Sequence, residues 1–139
     1  MPQSPASRWL QQLKQFGLSL PDTQPKAPWP GHDDVAVNNK TFAYLVLEDD
    51  GNTFRMSVKL TGSGPEVLKL PHAGPTGYGL GKSGWVSLRY RRDAKPPMEQ
   101  LQRWMLESYR AQAPKEVLKA LLAEQPWIAS GGLPDPPKR

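Results

Sequence analysis

Proline sets the first limit on what this chain can fold into. Four prolines fall between Pro21 and Pro30. Each lacks the N–H that a helix interior or a central strand requires, so this stretch reads as an extended connector on the surface. Over the whole chain, 16 prolines and 12 glycines make 28 of 139 residues, which argues against a pure helix bundle. That length favours a single domain and can bury a real core. There is no cysteine, which removes disulfides, iron–sulfur clusters, thiolate zinc and cysteine nucleophiles. Two histidines leave little room for a multi-histidine metal site, and no cofactor is expected.

Between the breaks the pattern alternates with period two and then changes. Ser7 is placed to cap a first helix over residues 8–16, where Trp9, Leu10, Leu13 and Phe16 recur at helical spacing and Gly17 suits the end. Strands are expected at 35–37, 40–48, 53–60, 66–70 and 85–90. Asp49-Asp50-Gly51-Asn52 forms a hairpin turn between the second and third of them. Residues 71–84 read as a long glycine- and proline-rich loop. From Pro97 the period becomes helical, with Met98, Leu101, Trp104, Met105 and Tyr109 on one face, and Pro114 divides this helix from a second at 115–124. The expected fold is α+β: an antiparallel sheet of four to five strands, with an N-terminal helix and two C-terminal helices packed on it. Residues 1–125 form the domain and 126–139 a Pro/Gly-rich C-terminal tail.

Charge is localised. The formal net charge is +5, and residues 82–119 hold nine basic and four acidic side chains, which is the whole excess. A concentrated positive field attracts polyanions such as nucleic acid. The first residues lack the charged and apolar regions of a secretory signal. The longest apolar run, 42–47, is too short to span a bilayer. A cytoplasmic protein without a membrane partner is expected.

Two motifs imitate phosphate-binding sites. Gly79-Leu80-Gly81-Lys82-Ser83-Gly84 fits G-x-G-x-x-G, but a strand follows where the dinucleotide fingerprint needs a helix. Gly81-Lys82-Ser83 lacks the first glycine of a P-loop, because position 76 is Thr76. Gly31-His32-Asp33-Asp34 offers a histidine and carboxylates, as a metal site or a general base would, yet reads better as a polar turn. His72 has no acidic neighbour, and Glu48, Asp49 and Asp50 read as solvation of the hairpin tip. No serine stands in a nucleophile elbow. The chain is expected to be non-enzymatic.

Alternation places Arg55, Lys59, Lys69, Arg89 and Arg91 on one sheet face with Trp85 among them. Lys82 and Arg92 lie at the two ends of the last strand. Lys59, Lys69, Lys82, Arg89, Arg91 and Arg92 are therefore the candidate nucleic-acid-binding residues, a basic strand and loop surface with an aromatic in it. The alternative is a protein- or peptide-interaction module, with Trp29, Trp85, Trp104 and Trp127 lining a groove; of these Trp104 reads better as core. A monomer is expected.

Several segments, taken in order, resemble one family. Val37-Asn38-Asn39-Lys40-Thr41-Phe42-Ala43 resembles the V-x-x-K-x-F-A strand of MmcQ/YjbR-like proteins, and Ser57-Val58-Lys59-Leu60 the strand after it. Pro75-Thr76-Gly77-Tyr78-Gly79, then Trp85-Val86, resembles the P-x-x-Y-G…W-V segment, Ser108-Tyr109 the S-Y helix, and Leu20-Pro21 the early L-P. The likeness runs from about residue 7 to 124, and its specificity lies in the order and spacing of the motifs. It implies a fold similar to bacterial frataxin (CyaY-like) and DNA binding of low sequence specificity. The chain departs from the family pattern over residues 25–30, where an acidic pattern is more usual. With few early acids, it does not match the acidic ridge of frataxin-like iron binding.

Overall fold

The computed structural model describes residues 4–26, 30–77 and 80–124. Trp29, Trp127 and the tail expected at 126–139 lie outside the described residues. Helix α1 spans Pro5–Leu18. It starts a turn earlier than expected, because Ser4 is the cap. The Ser4 Oγ accepts the N–H of Ser7 at 3.1 Å and donates to the Gly51 carbonyl at 2.6 Å, and Pro5 sits in the first turn, where a missing N–H is harmless. Gly17 is not a terminator. A Cβ there would meet Met105 at 3.0 Å and Val35 at 3.2 Å, so its bareness lets α1 close on the layer below.

Six strands follow: β1 Thr23–Lys26, β2 Asp34–Val37, β3 Lys40–Leu47, β4 Thr53–Lys59, β5 Ala73–Pro75 and β6 Trp85–Arg91. They form one antiparallel sheet in the order β1-β2-β3-β4-β6-β5. The two strands at its edges, β1 and β5, each carry a proline, Pro25 and Pro75. The expected connector is thus partly an edge strand, and the expected loop at 71–84 contains another, giving six strands rather than four or five. Asn38 and Asn39 both take positive φ, which closes β2 on β3 with a two-residue turn. At the other end of β3, Gly51 has φ +70° and the Asp50 carboxylate accepts from the Asn52 and Thr53 N–H groups. The Asp-Gly hairpin is as expected.

Residues 66–70 are not a strand. Helix α2, Gly64–Val67, takes their start, with Pro65 in its first turn. Helices α3, Met98–Gln112, and α4, Lys115–Glu124, complete the chain.

One sheet face carries the core. Its rows run across three strands: Ala43–Val58–Val86, Leu45–Met56–Leu88 and Leu47–Phe54–Tyr90. Helices α1 and α3 cover these rows, Trp104 is buried among them as expected, and Leu118 of α4 packs against the edge. A bulge on β3 puts one extra residue opposite Val35 and Ala36, so Phe42 joins Ala43 in the core.

Three consecutive residues of α3 fasten it to β3 and β4, to the turn after β4 and to the segment after α1. The Glu107 carboxylate accepts from the Gly62 and Ser63 N–H groups, both at 3.0 Å. The Ser108 hydroxyl donates to the Phe42 carbonyl and accepts from the Lys59 N–H at 2.8 Å. The Tyr109 hydroxyl donates to the Pro21 carbonyl at 2.8 Å.

Burial pushes the phenols of Tyr90 and Tyr109 up from 10.0 to about 12, and Asp22 adds to the rise at Tyr109. Both groups hold their protons more tightly folded than unfolded. Their stabilising effect is complete below pH 10.0 and is lost as pH climbs toward about 12. Unfolding in urea should therefore become steeply easier across that window. Two phenolate signals should emerge together with the loss of near-ultraviolet dichroism. If every tyrosine ionises near pH 10.0 with the dichroism intact, these rings are not buried as described.

Candidate functional site

The sheet face away from α1 and α3 has its own rows. Lys59 lies opposite Trp85, Ser57 opposite Ser87 with Tyr44 and Gly74 beside them, Arg55 opposite Arg89 with Val46 alongside, and Thr53 opposite Arg91. The structure thus gathers Lys59, Arg89 and Arg91 on one face, as alternation required. Arg92 follows in the turn after β6, and Lys82 stands exposed in the 3-10 turn Leu80–Ser83. Lys69 does not join them. It lies beyond α2, paired with Glu66 at 3.2 Å, because its segment is helical and β5 takes the place beside β6.

Arg55 and Arg89 face each other across the ladder, an arrangement that repels unless an anion intervenes. Glu48 is that anion. Its carboxylate accepts two hydrogen bonds from Arg89, both at 2.8 Å, and lies 3.7 Å from Arg55. The bonds from Arg89 hold the Glu48 carboxyl below the usual carboxylate range. Arg89, central to the expected contact surface, is therefore already committed. Among the described residues, Lys59, Lys82, Arg91 and Arg92 carry no ion pair.

Beside this charged end the same face is hollow. A cavity of about 810 Å³ is lined by His32, Tyr44, Val46, Arg55, Ser57, Thr76, Gly77, Leu80 and Ser87. Its side wall is made by Thr76, Gly77 and Leu80, between β5 and β6; Tyr78 and Gly79 lie outside the described residues. A chain of hydroxyls crosses the floor, Ser57 to Ser87 at 2.7 Å and Ser87 to Thr76 at 3.0 Å. His32 enters through a bridge to Val46. Its Nδ1 lies 3.1 Å from both oxygens of Asp34, a carboxylate only 1% exposed that also accepts the Leu45 N–H at 3.0 Å. Burial pushes the Asp34 carboxyl up, opposed by the pull of His32. Burial and the Asp34 charge together push the Tyr44 phenol up. Gly31-His32-Asp33-Asp34 is thus more than a polar turn. Asp34 opens β2 and orients an imidazole on the cavity wall, while Asp33 pairs with Lys14 at 2.8 Å. The sequence held the His-x-Asp spacing but nothing to show that β3 would bury the carboxylate.

Trp85 is not left in water. It is 5% exposed, its ring 5.3 Å from that of Tyr44. It also lines a shallow groove of about 380 Å³ with Leu60, Pro65 and Leu68. Trp104 belongs to the core instead, so these two tryptophans do not share a groove. Two glycines of the false dinucleotide motif, Gly81 and Gly84, serve the turn before β6. Gly84 has φ +93°, and a Cβ on Gly81 would meet the Pro75 side chain at 2.9 Å. Among the described residues, no three His, Asp or Glu side chains converge where a metal ion could sit. No helix among them is long and apolar enough to cross a membrane.

These features define a two-layer α+β domain: helices on one face of a six-stranded antiparallel sheet, and a charged, hollowed face opposite. The chain belongs to the YjbR family, whose model matches residues 18–111. Solved structures share the fold, two of which follow. The crystal structure of Deinococcus radiodurans protein DR2400, a DUF419 domain, aligns at a TM-score of 0.65 and 21% identity over 100% of this chain and 99% of that one. A protein from Pseudomonas syringae aligns at 0.55 and 18% over 73% of this chain and 97% of its own. None of the curated proteins compared with the sequence matches it.

Proposed function

We propose that this protein is a cytoplasmic, non-catalytic DNA-binding module of frataxin-like fold with little sequence preference. One observation supports the reading above the others: Lys82, Arg91 and Arg92 stand exposed around β6 without ion pairs among the described residues, within the segment that holds the whole charge excess. Exposed, unpaired cations on a strand and its flanking turns suit phosphate contacts, which fix position without reading bases. Arg89 has a different part in this reading. Clamped by Glu48, it sets the charge balance of the face rather than grasping a phosphate.

The test is fluorescence anisotropy of a short labelled duplex across a salt series. Affinity should fall linearly on a log–log plot as salt rises. Binding that is absent at low salt, or unchanged at high salt, would falsify the proposal. Glu48→Gln adds a sharper expectation. It removes the anion shared by Arg55 and Arg89, so affinity should rise by about threefold to tenfold, with a salt slope steeper by about one unit or more. An unchanged slope would mean that these arginines lie outside the interface.

A further inference from the structure

The cavity on the open sheet face is rich in hydrogen-bond donors, and its own residues do not use them up. Ser57, Ser87 and Thr76 bring three hydroxyl protons, of which the two bonds linking them consume two. Arg55 brings a guanidinium with five N–H donors. The carboxylate nearest to it, Glu48, takes its two short hydrogen bonds from Arg89 and meets Arg55 only as an ion pair at 3.7 Å, so the Arg55 donors are not spent on it. The Arg55 side chain lines the cavity and is 41% exposed, with its ion pair to Glu48 on one side. The carboxylate beneath the cavity, Asp34, is held by His32 and the Leu45 N–H. Val46, Leu80 and the Tyr44 ring supply an apolar wall, with His32 beside it. Its volume of about 810 Å³ falls within the range of small-molecule sites.

We propose that this cavity binds a small amphiphilic oxyanion: an apolar or aromatic body lying against Tyr44, Val46 and Leu80, ending in a carboxylate or phosphate that accepts from Arg55 and the Ser57–Ser87–Thr76 hydroxyls. The His32–Asp34 pair fixes one wall of the site. The proposal does not depend on DNA binding, since neither Arg91 nor Arg92 lines the cavity.

Amide chemical-shift titrations with phenylacetate and with phenyl phosphate separate the two oxyanion sources. Neutral phenylacetamide and inorganic phosphate serve as controls for the apolar body alone and the charge alone. At least one aryl oxyanion should saturate, moving the amides of Tyr44, Ser57, Thr76 and Ser87, and should bind about tenfold or more tighter than either control. Arg55→Gln, at a half-exposed site, should fold normally and weaken that binding about tenfold or more, and Ser87→Ala should weaken it by a smaller factor. The proposal fails if no aryl oxyanion saturates by about 10 mM, the level at which affinity means little. It also fails if the shifts map to Arg91 and Arg92 instead, or if Arg55→Gln binds as tightly as the parent.

Discussion

Tyr109→Ala should destabilise the domain by about 3–5 kcal/mol, a large share of the 5–15 kcal/mol typical of a fold this size. Tyr109 is wholly buried, and its ring meets Phe42 edge-on at 5.4 Å and 84°. Alanine would leave a cavity where α3, the β3 bulge and the segment after α1 converge. Tyr109→Phe is the control. It keeps the ring and removes only the hydroxyl that donates to Pro21, so it should cost about 0.5–1.5 kcal/mol. Ser108→Ala should fall between the two, at about 1–3 kcal/mol, because it removes the hydroxyl that serves the half-buried Lys59 N–H and the buried Phe42 carbonyl. Urea denaturation gives all three values. An alanine variant at position 109 that loses less than about 1 kcal/mol would mean that α3 docks without this ring.

On the functional side, replacing Lys82, Arg91 and Arg92 together by alanine should have the largest effect. The salt slope of DNA binding should drop by up to about three units, near one for each phosphate left without its cation. Affinity should fall uniformly across sequences, since phosphate contacts carry no base information. The comparison is a second triple variant, Lys14, Lys26 and Lys138 to alanine, which removes the same charge elsewhere. Lys14 is paired with Asp33 at 2.8 Å and Lys26 donates to the Asn39 carbonyl, while Lys138 lies outside the described residues. This variant should lose far less affinity. Equal losses would reduce the interaction to net charge, with no defined surface. Arg89 is left out of the first triple because its removal also releases Glu48, which mixes two effects in one measurement.

The strands that alternate cleanly were legible in the sequence. In β4 and β6, Phe54, Met56 and Val58 stand against Tyr90, Leu88 and Val86 in the register that period two requires, and the basic face follows from the same parity. Helix α3 was equally plain from its apolar spacing. What sequence reading missed has specific causes. Proline demotes a segment from central strand, and β1 and β5 are edge strands where that objection lapses. Within residues 66–70 the run Leu68-Lys69-Leu70 alternates like a strand, but Pro65 and a glycine before it open a single helical turn there. Glu48 and Arg89 are 41 positions apart, and no local pattern foretells that pairing. Asp34 looks like a turn residue until β3 closes over it and supplies the Leu45 N–H.

The prolines in the two edge strands have a consequence for growth. A proline stays in a ladder only with its nitrogen turned away from the paired neighbour. Pro25 pairs toward β2 and Pro75 toward β6, so each outward rim of the sheet lacks a donor at that position. An incoming strand, from a peptide or a second copy of the chain, would meet a gap in its hydrogen bonding on either side. Both rims are also short, at 4 and 3 residues, too little to template a long pairing. Among the described residues the sheet ends at these two strands, and neither margin offers a further strand a continuous set of partners.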